Sequence, residues 1–456
     1  MHKYTRRRFL ELGCRTIIGA GLTAGQITRA AHAQAADANY RALVCIHLNG
    51  GNDGFNMIVP TAGAAYNEYA GGRGHLAVAA SDLLRLTPTT ANTTQVGLNP
   101  HMAVLKPLFE SGQLAFQSNV GTMLEPGSVD DVRNKSIRLP EQLFSHNDQT
   151  SQWQKLNHTH HSDAGWGART ADLISNEQPN PNLAAISLSG SNEWQTGGEF
   201  SAFNIKSEGV RNYDGMDDHT SDWQIPRREA FIQLLHAQYN NVFEKAYADL
   251  QTRALVLSTN VGAALEKRGE LQTPVPENNP LAAQLAMVAK LISIKDEFRL
   301  NRQLFYVELG GFDTHDYQLE KQPALYANIA GALEFFNNAL LEIGHQDNVV
   351  SFTTSDFGRS VTSNGDGTDH GWGNHHLIMG NPVLGGDIYG QIPRILVDGP
   401  DDYRNGRIVP STAVSQYAAT LLNWLGLSND EVDQLLPSLA NFDRRNLGFL
   451  TCSIIG

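Results

Sequence analysis

Leu304-Phe305-Tyr306-Val307-Glu308-Leu309, then an amphipathic stretch, then Val349-Val350-Ser351-Phe352-Thr353: this run decides the fold. Its two ends are short, nearly continuous apolar segments rich in β-branched and aromatic residues, the pattern of strands covered on both faces of a parallel sheet. Between them Leu325, Ile329, Leu333, Phe336, Leu340 and Ile343 recur at steps of three to four, lining one face of a long helix. Strand, helix and strand from about 303 to 354 make one parallel crossover. Outward from it, Ala42-Leu43-Val44-Cys45-Ile46-His47-Leu48 is a strand of the same kind, and Leu183 to Leu188 a shorter one. Residues 228–268 and 280–298 read as helices broken by Pro274, Pro276 and Pro280. Stretches 121–140, 190–226, 269–280 and 358–373 are rich in Gly, Asp, Asn, Ser or Pro and read as long loops. The expected class is α/β, a large and mostly parallel central sheet flanked by helices.

Composition narrows the function. With 456 residues, 41% hydrophobic and 18% charged, the chain can bury a core and is neither wholly disordered nor collagen-like. Its 34 Lys and Arg against 47 Asp and Glu leave a formal charge of −13, so nucleic acid is not an expected partner. Three Cys cannot build a disulfide framework, and Cys45 and Cys452 read as structural thiols.

Residues 1–33 read as an export signal. Thr5-Arg6-Arg7-Arg8-Phe9-Leu10 is a paired-arginine motif, Ile17 to Thr23 is apolar, and Ala31-His32-Ala33 offers an A-x-A cleavage site. Removing them takes six basic residues and Glu11, leaving 28 basic against 46 acidic groups, a charge of −18. Gly19-Ala20-Gly21-Leu22-Thr23-Ala24 matches a dinucleotide fingerprint in pattern only, since it follows no strand and lies in the removable segment. The expectation is export of the folded chain by the twin-arginine translocase to the periplasm. Residues 34–456 would form one domain without a stable membrane span, since no later window holds 18 uncharged apolar residues.

Three of the strands end alike. They run into Asn49-Gly50-Gly51-Asn52-Asp53-Gly54-Phe55-Asn56, Gly310-Gly311-Phe312-Asp313-Thr314-His315-Asp316 and Ser355-Asp356-Phe357-Gly358-Arg359. Ligands bind beyond the carboxyl ends of parallel strands, so Asp53, Asp313 and Asp356 would share one edge. Each alone is as well explained by a turn or a helix cap. Together, with His315 beside Asp313, they call for a divalent cation to relieve their repulsion. Thr368-Asp369-His370-Gly371-Trp372-Gly373-Asn374-His375-His376 adds imidazoles, and a mixed His and Asp set suits zinc or manganese. If His375 and His376 begin a strand they point to opposite faces, so at most one joins His370. In Leu143-Phe144-Ser145-His146-Asn147-Asp148-Gln149, Ser145 reads either as a metal-activated nucleophile or as a helix cap. No G-x-S-x-G elbow, P-loop lysine or H-E-x-x-H motif occurs.

The paired-arginine leader, His47 to Asn56, Ser145 to Gln149, Gly310 to His315, Thr354 to Arg359 and Asp369 to His376 together resemble the exported bacterial family catalogued as domain of unknown function fifteen-oh-one. Gln416 to Thr420 and Leu436 to Phe442 are similar too. That family is placed in the alkaline phosphatase and sulfatase superfamily, which implies an α/β sandwich holding two metals at strand ends. By that resemblance Asp53 is the first metal-binding Asp. Asp313 and His315 stand for an Asp-x-x-x-His pair, shortened here, and His370 is the last His ligand. Asp356 stands where an Asp-His pair is expected, but Phe357 follows it, so the second metal needs His375 or His146 instead. Ser145 is the candidate nucleophile, and it lacks the C/S-x-P-x-R context of sulfatases.

The expectation is an exported hydrolase or transferase of phosphate or related esters, using one or two divalent ions, zinc or manganese. Its metal ligands would come from Asp53, Asp313, His315, Asp356, His370 and His375, with Ser145 attacking phosphorus and Arg359 gripping a phosphoryl oxygen. The substrate would be a small-molecule or envelope ester. The alternative is a non-catalytic envelope assembly or binding protein on the same scaffold, and the fold alone does not choose between them.

Overall fold

The computed structural model describes residues 40–90, 94–156, 164–176, 178–210 and 223–451. Residues 1–33, read above as an export signal, and Cys452 lie outside the described residues. The central sheet has nine strands: β1 (Arg41–Leu48), β2 (Leu114–Gly121), β3 (Ala185–Ser187), β4 (Phe203–Asn204), β5 (Arg302–Leu309), β6 (Val349–Ser355), β7 (Asn374–Met379), β8 (Ile388–Tyr389) and β9 (Thr412–Ala413). They lie in the order β8-β2-β7-β6-β1-β5-β3-β4, with β9 also on β2.

The apolar strands read from sequence form the middle of this sheet. β1 runs parallel to β5 on one side and to β6 on the other. Its last residue, Leu48, pairs with Leu309 and with Ser355, so three chains leave the sheet at one level. That register brings the three Asp-bearing turns to one edge.

β7 is the antiparallel member, bonded to β6 and β2. The reason is the connection before it. A parallel return needs a crossover of a dozen or more residues, but here the chain folds into a hairpin of Arg359–Ser363 on Thr368–His370. Residues 358–373, expected as a loop, are therefore partly strand. Their polar side chains hid the pairing, because strands read from sequence are read from apolar alternation.

Helices α1 (Gly63–Arg73), α2 (His146–Lys155), α3 (Trp166–Ser175), α4 (Ile225–Leu235), α5 (Val242–Arg268), α6 (Pro280–Ser293), α7 (Gln318–Glu342) and α8 (Val414–Leu425) surround the sheet. Leu43, Cys45, Leu304, Tyr306, Val350 and Phe352 point to one face, where they pack with Trp153, Trp166, Tyr417 and Leu421 of α2, α3 and α8. Burial pushes the Cys45 thiol up to about 12, so it is an inert core group. Residues of the other parity, such as Val44, Phe305 and Val307, are equally buried on the second face. There α6 packs on β5 and α7 on α6, with Ile329, Leu333, Phe336 and Leu340 of α7 inward as their spacing predicts.

Two helix boundaries differ from the sequence reading. The stretch 228–268 is two helices, because Asn241 starts the second by accepting hydrogen bonds from the N–H groups of Phe243 and Glu244. The helix read as 280–298 ends at Ser293 and tightens into a 3₁₀ turn, Lys295–Phe298. Among the described residues no helix is long and apolar enough to cross a membrane.

Candidate metal centre

One guanidinium organises the sheet edge. Arg359 is fully buried and donates from Nε to the Gly51 carbonyl at 3.0 Å and from Nη1 to Thr368 at 3.0 Å. Its Nη2 reaches the carbonyls of Gly50 at 2.9 Å and Phe312 at 3.0 Å, and the Asp313 carboxylate. It thus ties the turns after β1 and β5 to its own. Gly50 makes this closeness possible. Its φ is +114°, and a Cβ there would stand 2.4 Å from the Asp313 nitrogen. The sequence reading gave Arg359 a phosphoryl oxygen to hold. Its donors are instead spent inside the protein, on carbonyls and on Asp313.

Around Asp313 three imidazoles converge. Asp313 Oδ1 lies 3.2 Å from His315 Nε2, 3.5 Å from His146 Nε2 and 3.6 Å from His370 Nε2. Donors about 2.05 Å from a tetrahedral ion stand about 3.3 Å apart, close to the separations of Asp313 from His146 and from His370. His146, Asp313 and His370 offer ligand atoms that all lie within 4.8 Å of one another.

Each ring is held from behind. His146 Nδ1 donates to Asp356 Oδ2 at 2.6 Å, and His370 Nδ1 to the Phe144 carbonyl at 2.6 Å. His315 Nδ1 lies 3.3 Å from Asp369 Oδ1. A carbonyl or carboxylate only accepts, so the proton sits on Nδ1 and each Nε2 presents its lone pair. His315 Nε2 and His370 Nε2 face each other at 2.8 Å. That is the length of an N–H···N hydrogen bond, made when one of the two rings also carries a proton on Nε2. The His146 Nε2 is buried with no hydrogen-bond partner, an orphan that a cation would satisfy. The residues fit one ion, reached from solvent on the side of Asp313, whose side chain is 48% exposed.

Asp356, Asp313 and His370 are biased toward the forms a ligand set needs, and His146 toward its protonated form. Burial works against charge on Asp356, but hydrogen bonds from His146 and His47 hold it well below the usual carboxylate range. His146 is raised chiefly by that same bond, with burial opposing. Burial would lift Asp313 too, yet the Arg359 bond and charge bring it below normal. His370 is lowered, first by burial, which keeps it neutral as a ligand must be.

Asp313, His315 and His370 thus meet as the sequence reading expected. Asp356 stands behind His146, its oxygens taken by His146, by the Gly50 N–H at 3.1 Å and by His47 Nε2 at 3.4 Å. Asp53 is elsewhere engaged. It is buried in an ion pair with Arg73 of α1, and Gln318 Nε2 donates to its other oxygen at 2.7 Å. Asp53 is thus not among the ligand atoms gathered with His146, Asp313 and His370. His375 is a core residue at the start of β7, receiving the Asn119 N–H at 3.1 Å and packed edge-on to Phe55. Burial takes its pKa down to about 3. Ser145 is the N-cap residue of α2, and its Oγ donates to Asp148 Oδ2 at 2.6 Å.

Sequence reading passed over Arg73, His47 and Phe144. Phe144 has φ +75°, a left-handed conformation that costs a bulky residue energy. Its carbonyl meets His370, and its ring lies under the Arg407 guanidinium, 4.5 Å away. Strain of this kind gathers at functional sites.

No curated protein matches the chain. Among solved structures it is similar to the PsFucS1 sulfatase from Pseudoalteromonas sp., at 14% identity over 93% of this chain and 75% of that one, with a TM-score of 0.32. It is also similar to a putative sulfatase from Bacteroides thetaiotaomicron, at 9% identity over 87% and 75% of the two chains, TM-score 0.30. A mutant of the alkaline phosphatase PafA matches at 10% identity over 70% and 64%, TM-score 0.27. The family described as "Protein of unknown function (DUF1501)" matches residues 40–431, and the chain belongs to that family.

Proposed function

We propose that this member of the DUF1501 family is an exported, metal-dependent hydrolase or transferase of phosphate or related esters. It would use a single divalent ion, zinc or manganese, held by His146, Asp313 and His370 with His315 beside them. The observation that carries the reading is the set of Nε2 atoms turned on one Asp313 oxygen, each ring fixed through its Nδ1. When bound, such an ion polarises an ester oxygen and lowers the pKa of a nearby hydroxyl.

The chain's own residues supply the rest. Arg359 holds Asp313 at the rim, and Asp356 keeps the His146 proton on Nδ1. Ser145, immediately before His146, is the candidate nucleophile. Its hydroxyl already points its proton at Asp148 Oδ2, a carboxylate able to take it as the oxygen attacks. The periplasm is the proposed location, with twin-arginine export as the route.

A second reading is an envelope assembly or binding protein in which the ion only pins the turns together. The Arg73–Asp53 pair favours it, since it removes one carboxylate from ion binding. Metal content by mass spectrometry, with turnover of phosphate mono- and diesters, separates the two. The catalytic reading expects about one equivalent of ion, lost in Asp313→Ala, and Ser145→Ala inactive with its ion retained. A loaded wild type without ester turnover supports the second reading. Absence of any tightly bound ion overturns both.

A further inference from the structure

Helix α5 carries apolar residues at 243, 247, 250, 254, 257, 261 and 264. The steps alternate four and three, the 3.5-residue period of a coiled-coil seam. Burial changes from end to end along this one line. Val261 and Ala264 are buried and Leu257 is half-buried. Ala254 is exposed, and Leu250, Tyr247 and Phe243 are 49%, 63% and 80% exposed. A helix that merely leaves the body for solvent would exchange apolar for polar residues at that point. This one keeps the period and makes its outermost residues large.

We infer that a second copy of this chain covers the bare half of the seam. Two α5 helices would pack antiparallel about a two-fold axis near Leu250, each continuing the other's seam. Three observations single out this occupant. First, the 3.5-residue period suits a partner helix of the same period, and a two-fold interface needs only one such surface. Second, the exposed stretch 243–257 holds Glu244, Asp249, Lys245 and Arg253, a net charge of zero on a chain of −13, so two copies meet here without repulsion. Lys245 and Asp249 pair with each other at 3.3 Å on the opposite side of the helix, clear of the seam. Third, the bare half of the seam carries large anchors, Phe243, Tyr247 and Leu250, in the row that a matching partner helix would bury, while the exposed Val242 and Val256 lie with Lys245 on the far side. The antiparallel sense follows from the buried C-terminal half, since a parallel pair would drive both bodies into the same space.

Sedimentation velocity of the full chain over a concentration series tests this. The wild type should be a dimer at micromolar concentration, as should the outward control Lys245→Glu. Phe243→Glu with Tyr247→Glu should raise the dimer dissociation constant at least about tenfold, with an unchanged circular dichroism spectrum. Leu250→Cys gives an independent reading, because mild oxidation should join two copies through residues near the axis. A wild type that stays monomeric to about 100 µM overturns the proposal. So does a dimer that survives the double substitution or leaves Leu250→Cys uncrosslinked. Protection of 243–250 from hydrogen exchange in a monomer would assign the seam to another part of the same chain, and also overturns it.

Discussion

Replacing Arg73 with methionine should destabilise the protein by about 3–5 kcal/mol, and adding Asp53→Asn in the same chain should restore most of that loss. Both side chains are essentially inaccessible, 0% and 1% exposed, so the pair gains nothing from solvent. Arg73 also donates to the Ser360 carbonyl at 3.1 Å, and when the arginine is gone Asp53 keeps only neutral donors, Gln318 at 2.7 Å and a long contact from Gln322 at 3.5 Å. One amide hydrogen bond recovers about 1 kcal/mol of the several a buried carboxylate loses without its cation. Asparagine at 53 can still accept from Gln318 and carries no charge, hence the recovery in the double variant. Urea unfolding of the wild type, both single variants and the double variant gives the coupling energy directly, and metal content is read on the same samples. All four proteins should hold the same amount of ion. An Asp53→Asn protein that loses ion, or an Arg73→Met protein that keeps its stability and gains a second equivalent, would refute the assignment of Asp53 to Arg73.

Asp356→Asn should leave the fold intact and weaken ion binding about 10–100-fold, because His146 loses the carboxylate that fixes its proton; chelator competition reads this, and an unchanged affinity counts against it. His375 sits near pKa 3 in the folded protein against 6.5 unfolded, so the unfolded chain takes the proton first as pH falls. Its share of stability is present above pH 6.5 and drains between there and about 3, at up to about 1.4 kcal/mol per pH unit. His375→Gln should therefore show a shallower loss of urea midpoint from pH 7 to 4.5, and equal slopes would contradict this. Glu342 closes α7 by accepting from the Gln272 N–H at 2.8 Å and from the Thr273 N–H and hydroxyl at 2.7 Å. Burial works against its charge, but those bonds take its pKa down to about 2, so its contribution is present above about 4.5 and fades as pH falls toward 2. Glu342→Gln should cost about 1–2 kcal/mol at pH 7 in thermal melts, with a shift indistinguishable from zero as the contrary result.

The strands were legible because burial on both faces writes itself as apolar runs, and β1, β5 and β6 lie within two residues of where those runs begin and end. The hairpin 359–370 was not, since its strands carry Arg359, Asp369 and His370 rather than a repeating apolar pattern. Asp313, His315 and His370 stood out as short-range chemistry at glycine-rich strand ends. The role of Asp53 did not, because a carboxylate beside a turn reads the same whether it faces an ion or an arginine. The arginine that decides the matter is twenty residues away on a helix. His146 was visible only as a reserve ligand, as its supporting carboxylate lies 210 residues further along the chain.

Arg359 bears on when the site can come into being. Its guanidinium bonds to Gly50 and Gly51 across 309 and 308 residues and to Phe312 across 47. Contacts of such sequence separation close late, after most loop entropy has been surrendered. No fragment, and no intermediate with one of the three strands undocked, can present Asp313 and the imidazoles together. Capture of the proposed ion would thereby be a final event of folding. A single-residue insertion in β1 would turn the strand's inward residues outward and undo the proposed site, even in a chain that still collapses.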